Sequence, residues 1–161
     1  MGKIKIGGII QSKELALVGM ISTPDRPGLA GEIFAALGNE KINIQFIVQS
    51  VDRNGRGNIF FCIDCRDLDE ANRVLEELQT RVGCERLSFH SPVGIISIFG
   101  PHFRERPGIA GTFFAALNSK DINIMAISTS ISTCSCVIPS SDLLTAVKAI
   151  GEFFDVPGGE E

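Results

Sequence analysis

The stretch from Arg26 to Ser50, RPGLAGEIFAALGNEKINIQFIVQS, returns 80 residues later, from Arg106 to Ser130, as RPGIAGTFFAALNSKDINIMAISTS, without a gap. Self-similarity at a long fixed period signals a duplicated supersecondary unit, so the chain is constrained to two copies of one small fold. Each copy begins with Arg-Pro-Gly, runs through an Ala-rich apolar segment, breaks at a polar pair and resumes as Ile-Asn-Ile before a hydrophobic run. What the copies share is expected to be scaffold. Where they differ is where a ligand would be told apart.

The segments around the repeat supply the rest of the unit. Lys3 to Ile10 reads as a strand with glycines at 7 and 8, followed by a polar break at Gln11 to Lys13. Leu15 to Ile21 is a second apolar run, closed by turn residues at Ser22 to Asp25. Pro27 suits the first position of a helix whose face is Leu29, Ile33, Ala36 and Leu37, with Gly38 and Asn39 as its stop. Ile42 to Val51 and Asn58 to Cys65 form a hairpin around Asn54-Gly55, a turn signal and not a phosphate loop, because no strand-to-helix context surrounds it. Asp67 caps a second helix with a Leu68, Ala71, Val74, Leu75 and Leu78 stripe; Gly83 ends it before a strand at Cys84 to Phe89. The order is βαββαβ.

The second copy follows Pro92: a strand at Val93 to Phe99, a helix at Pro107 to Leu117, a hairpin of Ile122 to Ser130 with Cys134 to Ile138, and a helix carrying Leu143, Ala146, Val147, Ile150 and Phe153. After it, Asp155 to Glu161 is a poor strand, so this copy lacks its own fourth strand and Lys3 to Ile10 is the candidate to fill it. The expected organisation is two ferredoxin-like βαββαβ units: 14–91, then 92–156 with the N-terminal strand 3–10, and a flexible tail at 157–161. Units this small bury limited cores alone. A positive mean hydropathy without Trp or Tyr indicates apolar surface for a partner.

The net charge of −4 gives no basic footprint for nucleic acid or an anionic membrane. No apolar run approaches the ~20 residues of a membrane span, and the start alternates Lys and Ile, which reads as a cytoplasmic protein. Five cysteines fit reduced thiols. Cys62 and Cys65 point to opposite faces of a strand, while Cys134 and Cys136 share one, but His90 and His102 are far off in the chain, so no metal or cofactor is expected. No P-loop, no Gly-x-Ser-x-Gly and no nucleophile with a His partner is present, and the polypeptide is expected to do no chemistry itself.

The βαββαβ order, with Pro24-Asp25-Arg26-Pro27-Gly28 leading into the first helix and Ile42-Asn43-Ile44 into the second strand, resembles the ACT domain, an amino-acid-binding regulatory module. VGMISTPDRPGLAGEIFAAL, INIQFIVQS and RPGIAGTFFAALNSKDINIMAISTS further resemble the tandem ACT pair of aspartate kinases (aspartokinases), most specifically at Ile47-Val48-Gln49-Ser50 and Ile127-Ser128-Thr129-Ser130. That family also completes its second unit with an N-terminal strand. The chain departs from it at Ile21-Ser22-Thr23, which look like an insertion lengthening the loop beside the ligand site, and at Ile131-Ser132-Thr133, where the family places Glu, a β-branched and a basic residue. The kinase domain with its nucleotide motif is absent.

The resemblance implies an effector lying where the first helix and second strand of one ACT unit meet another. It implicates Asp25, Gly28, Ala30, Asn43, Ile44, Gln45 and Gln49, with Ser128, Thr129 and Ser130 as further contributors. The chemistry is coherent: helix N-terminal N–H groups suit a carboxylate, Asp25 suits an ammonium, and Asn43 and Gln49 offer donors and acceptors. Each residue also has a plainer role. Asp25 equally suits an Asx turn or a helix cap, Asn43 and Asn123 recur and could hold a turn, and Gly28 and Gly108 recur and could serve packing. Asp25 and Gln49 stand out because Glu105 and Thr129 replace them in the second copy. The implied function is feedback control of aspartate kinase by lysine or threonine, with a homodimer and a kinase catalytic chain as partners. A stand-alone amino-acid sensor acting on another enzyme is the alternative.

Overall fold

The computed structural model describes residues 2–158. The chain divides into two units, one of residues 14–92 and one of residues 1–13 with 93–161. Expectations for the tail at 159–161 lie outside the described residues.

In the 14–92 unit, strands β2 (Gly8–Pro24, from residue 14 on), β3 (Phe46–Val51), β4 (Arg56–Asp64) and the first part of β5 (Arg86–Phe99) lie in the order β3-β4-β2-β5. Both β2 and β3 run antiparallel to β4. Helices α1 (Leu29–Asn39) and α2 (Leu68–Val82) cover one face. The reason is periodicity: Leu29, Ile33 and Leu37 of α1, and Ala71, Val74, Leu75, Leu78 and Val82 of α2, fall on the buried stripes. They meet Ala16, Val18, Met20, Ile59, Phe61 and Ile63, alternate residues of β2 and β4. The hairpin turn is built by Asp52, whose carboxylate accepts from the Asn54 and Arg56 N–H groups at 2.8 and 3.0 Å, with Gly55 at φ 70°.

The other unit repeats the plan with β5 from residue 93, α3 (Ile109–Asn118), β6 (Ala126–Thr129), β7 (Thr133–Pro139) and α4 (Leu143–Phe153). Its strand order is β2-β5-β7-β6, so residues 8–13 of β2 take the position that β5 holds in the other unit. The polar stretch Gln11 to Lys13 is not a break; it continues the strand. Ahead of it, Ile4–Lys5 (β1) pairs in parallel with Phe154–Asp155 (β8), so the chain's end does contribute two residues of strand. Ile6 and Gly7 separate β1 from β2, and the Phe99 ring covers Gly7 and Gly8: a Cβ on either would lie 2.8 Å from a ring carbon.

Three local readings are corrected by the backbone. Pro27 precedes α1: Arg26 to Leu29 is a type II turn, with Gly28 at φ 87°, ψ −9° and the Leu29 N–H on the Arg26 carbonyl at 3.4 Å. Gly108, at φ 90°, repeats it, so both glycines recur because this turn position needs positive φ. Gly38 does not stop α1 either. The Ile42 N–H bonds the Leu37 carbonyl at 3.1 Å and the Lys41 N–H the Gly38 carbonyl at 2.9 Å, a Schellman cap with Lys41 as its left-handed residue at φ 60°. Ile122 and Leu117, with Asp121 at φ 55°, repeat it. Asp67 holds the N-cap position of α2 without a side-chain bond; Asp64 instead accepts from the Arg66 N–H at 2.9 Å, capping the 3₁₀ turn Cys65–Asp67.

Lys41→Gly is therefore expected to raise unfolding free energy by ~0.5–1 kcal/mol, because removal of the left-handed strain exceeds the added unfolded-state entropy. Lys41→Ala, which keeps a Cβ, should give no such gain; equal stabilisation by both in denaturant titrations would contradict the cap assignment. Ile6 is 2% exposed within the core of the unit containing residues 93–158. Ile6→Ala should cost ~2–4 kcal/mol by the same measurement. Ile10→Ala, at a 52% exposed position, should stay within ~0.5 kcal/mol.

Candidate functional site

The named site residues fall into groups set by the path of the chain. In the 14–92 unit β2 and β3 both end beside the 55–57 turn, Pro24 opposite Arg56 and Val51 opposite Gly57. Helix α1 starts at that end and runs back, rising about 16 Å over its 11 residues. Asp25, Gly28, Ala30 and Gln49 therefore share one end of the unit. Asn43, Ile44 and Gln45 sit at the other, where the Gln45 N–H bonds the Cys62 carbonyl at 3.0 Å. Asn43 and Gln45 are exposed, and Ile44 packs on the core.

At the first end, Asp25 is exposed and its N–H donates to the Gly55 carbonyl at 3.1 Å. It does not cap α1, whose N-cap is Gly28 and which has no side-chain cap bond. Gln49 pairs with Ile59, on the face of β4 that meets the helices, and its Nε2 lies 3.9 Å from where a Gly57 Cβ would be. A Cβ on Gly28 would meet nothing within 4 Å, so the turn backbone is open to approach. Arg26 is occupied: its guanidinium bonds Glu32 Oε2 at 3.0 Å, and Arg81 holds Oε1 at 2.9 Å. The Arg26 and Arg81 hydrogen bonds pull the Glu32 carboxyl below its usual range.

The second copy has Thr112 where the first has Glu32, and Arg106 makes no ion pair among the described residues. Arg106 lines a concavity of about 270 Å³ with Gly108, Ala110, Thr129, Ser130 and Thr133. Phe103, Ile109 and Cys134 complete its wall. A guanidinium, three hydroxyls and a helix N-terminus suit a small carboxylate-bearing molecule. Thr129 pairs with Cys134 on the helix-facing side; Ser128 pairs with Ser135 and so points to the opposite face, away from Thr129. The repeat places Arg106 opposite Arg26, and the sequence signal that frees Arg106 is Thr112 at the Glu32 position.

Cys62, Cys84, Cys134 and Cys136 behave as core atoms, while Cys65 is only partly buried. Burial pushes Cys62 and Cys136 up to about 12 and raises Cys134 as well. Among the described residues no three His, Cys, Asp or Glu side chains come together as metal ligands, and no helix is long and apolar enough to cross a membrane.

Residues 19–83 and 96–154 each match a family model described as the ACT domain. The chain belongs to the ACT-domain family, with two ACT domains in tandem. Its relatives are aspartokinases: that of Corynebacterium efficiens is 31% identical over 163 residues, covering 100% of this chain and 39% of the relative. The chain thus spans about two-fifths of the length of the curated relatives it matches. Among solved structures, the ligand-free regulatory subunit of aspartate kinase from Thermus thermophilus is similar at TM-score 0.83 and 27% identity, covering 93% of this chain and 99% of that one. The aspartate kinase of Synechocystis is similar at TM-score 0.89 and 28% identity, covering 100% of this chain and 29% of that one.

Proposed function

We propose that this chain is the amino-acid-sensing regulatory part of an aspartate kinase, binding lysine or threonine and controlling a kinase catalytic chain in the cytoplasm without catalysing a reaction itself. The observation that carries the reading is the gathering of Asp25, Gly28, Ala30 and Gln49 at the N-terminal end of α1. There the helix N–H groups receive the α-carboxylate and Asp25 receives an ammonium. The regulatory subunit of Thermus thermophilus, which has nearly this length, supports a role separate from the kinase domain.

Asn43, Ile44 and Gln45 join the same ligand only from a second ACT unit, because the length of α1 separates them from Asp25 within one unit. Ser128, Thr129 and Ser130 are proposed on the same footing, with Thr129 and Ser130 as the direct contacts. An effector that bridges units favours one packing over another, and inhibition is the difference in its affinity for the two states. Pairing of two copies through ACT units makes a homodimer the functional form.

Titration calorimetry of the folded protein with each of the twenty amino acids should give heat for lysine or threonine and none for the others. Asp25→Ala should weaken that binding ~10-fold or more, the loss expected for one charge-assisted contact. Flat traces for both amino acids would sink the effector assignment. Recovery of a different enzyme in a pull-down, with no aspartokinase catalytic chain, would favour the stand-alone sensor.

A further inference from the structure

The donors of one side chain converge on the backbone just ahead of Asp25. Between Met20 and Thr23, strand β2 carries one residue more than β4, a bulge, and Ser22 sits within it at φ 57°. A non-glycine residue keeps that conformation only where its surroundings enforce it. Arg56 enforces it. Its Nε donates to Ser22 Oγ at 3.0 Å, and one terminal nitrogen donates both to the Ser22 carbonyl and, at 2.8 Å, to the Gly83 carbonyl at the end of α2. Asn58 Oδ1 accepts from the Ser22 N–H at 2.9 Å, and the Glu85 N–H donates to the Ser22 carbonyl at 3.2 Å. Ile21, Ser22 and Thr23 are thus a locked bulge in a strand and not a lengthened loop; Thr23 is fully buried, its hydroxyl on the Gly57 carbonyl at 3.0 Å.

Both residues that distinguish the first copy rest on this joint. The Asp25 N–H bonds the carbonyl of Gly55, next to Arg56, and the Gln49 amide lies over Gly57. In the second copy Thr129 pairs with Cys134 where Gln49 pairs with Ile59, so its hairpin is five residues shorter and the turn from Ser130 to Thr133 carries no arginine; its strand β5 ends at Phe99. The joint therefore occurs with Asp25 and Gln49 and is missing where they are replaced. Resting on the amino-acid-binding reading above, we infer that Arg56 is a positioning residue for the effector: it locks the bulge, sets Asp25 against the N-terminus of α1, and ties that site to the C-terminal end of α2. Ligand affinity and the order of the 83–85 segment are then linked.

The test is calorimetry with lysine and threonine on the full chain and on Arg56→Ala, Arg56→Lys, Asp25→Ala and the Asp25→Ala/Arg56→Ala double variant. Arg56→Ala and Arg56→Lys should each weaken binding ~10-fold, since an ammonium lacks the fork that reaches two carbonyls and a hydroxyl, while in the Asp25→Ala background Arg56→Ala should add less than ~2-fold. Equal loss in both backgrounds, or none in either, overturns the proposal. Hydrogen exchange separates this from failure of the functional reading. Protection of the Asp25 amide should fall ~10-fold in Arg56→Ala, while the Gln45 amide is unchanged. Unchanged Asp25 protection refutes the positioning role even where the parent binds neither amino acid. Should Arg56→Ala not fold, Ser22→Ala removes one acceptor alone and should give a smaller loss of the same coupled kind.

Discussion

A single backbone hydrogen bond, from the Gly7 N–H to the Phe99 carbonyl at 2.6 Å, marks the constraint on which the second ACT domain depends. It joins residues roughly ninety apart, and loop-closure entropy grows only slowly with such a separation. The Phe99 ring over Gly7 and Gly8, the buried Ile6, and the β1–β8 pair offset that cost. The 14–92 unit is thus an insertion in the chain of the other, in which Ile6 and Phe154 belong to one core.

The duplication made this architecture readable before any coordinates. Helix stripes at Leu29, Ile33 and Leu37, alternation at Ile59, Phe61 and Ile63, and the Asn54-Gly55 turn are local signals strong enough to survive in tertiary context. Helix ends were less legible. Gly38 looks like a stop, yet Lys41 takes the left-handed position because burial of Ile42 against the core outweighs its strain. Pro27 looks like a first helical residue, yet Gly28 behind it converts the pair into a turn.

At the candidate site the residue types were readable and their grouping was not. Sequence distance makes Asn43 and Gln49 neighbours, but they lie at opposite ends of the unit because the strand between them runs the length of the sheet. Alternation puts Ser128 and Thr129 on opposite faces. The roles of Arg56 and Arg106 depend on partners far along the chain, Ser22 and Gly83 for one and the missing Glu32 equivalent for the other. No local pattern carries that information.

The two ACT domains share a scaffold of turn, helix and Schellman cap, and differ in what surrounds the helix N-terminus. The central claim is that the effector is read at that terminus. Amide chemical shifts followed while lysine or threonine is titrated into isotopically labelled protein test it most directly. The account predicts the largest changes at Gly28 to Ala30, at Gln49 and at 55–57, with changes at 43–45 only where a second ACT unit completes the site. Changes confined to 40–45 while the N-terminus of α1 stays silent would contradict it.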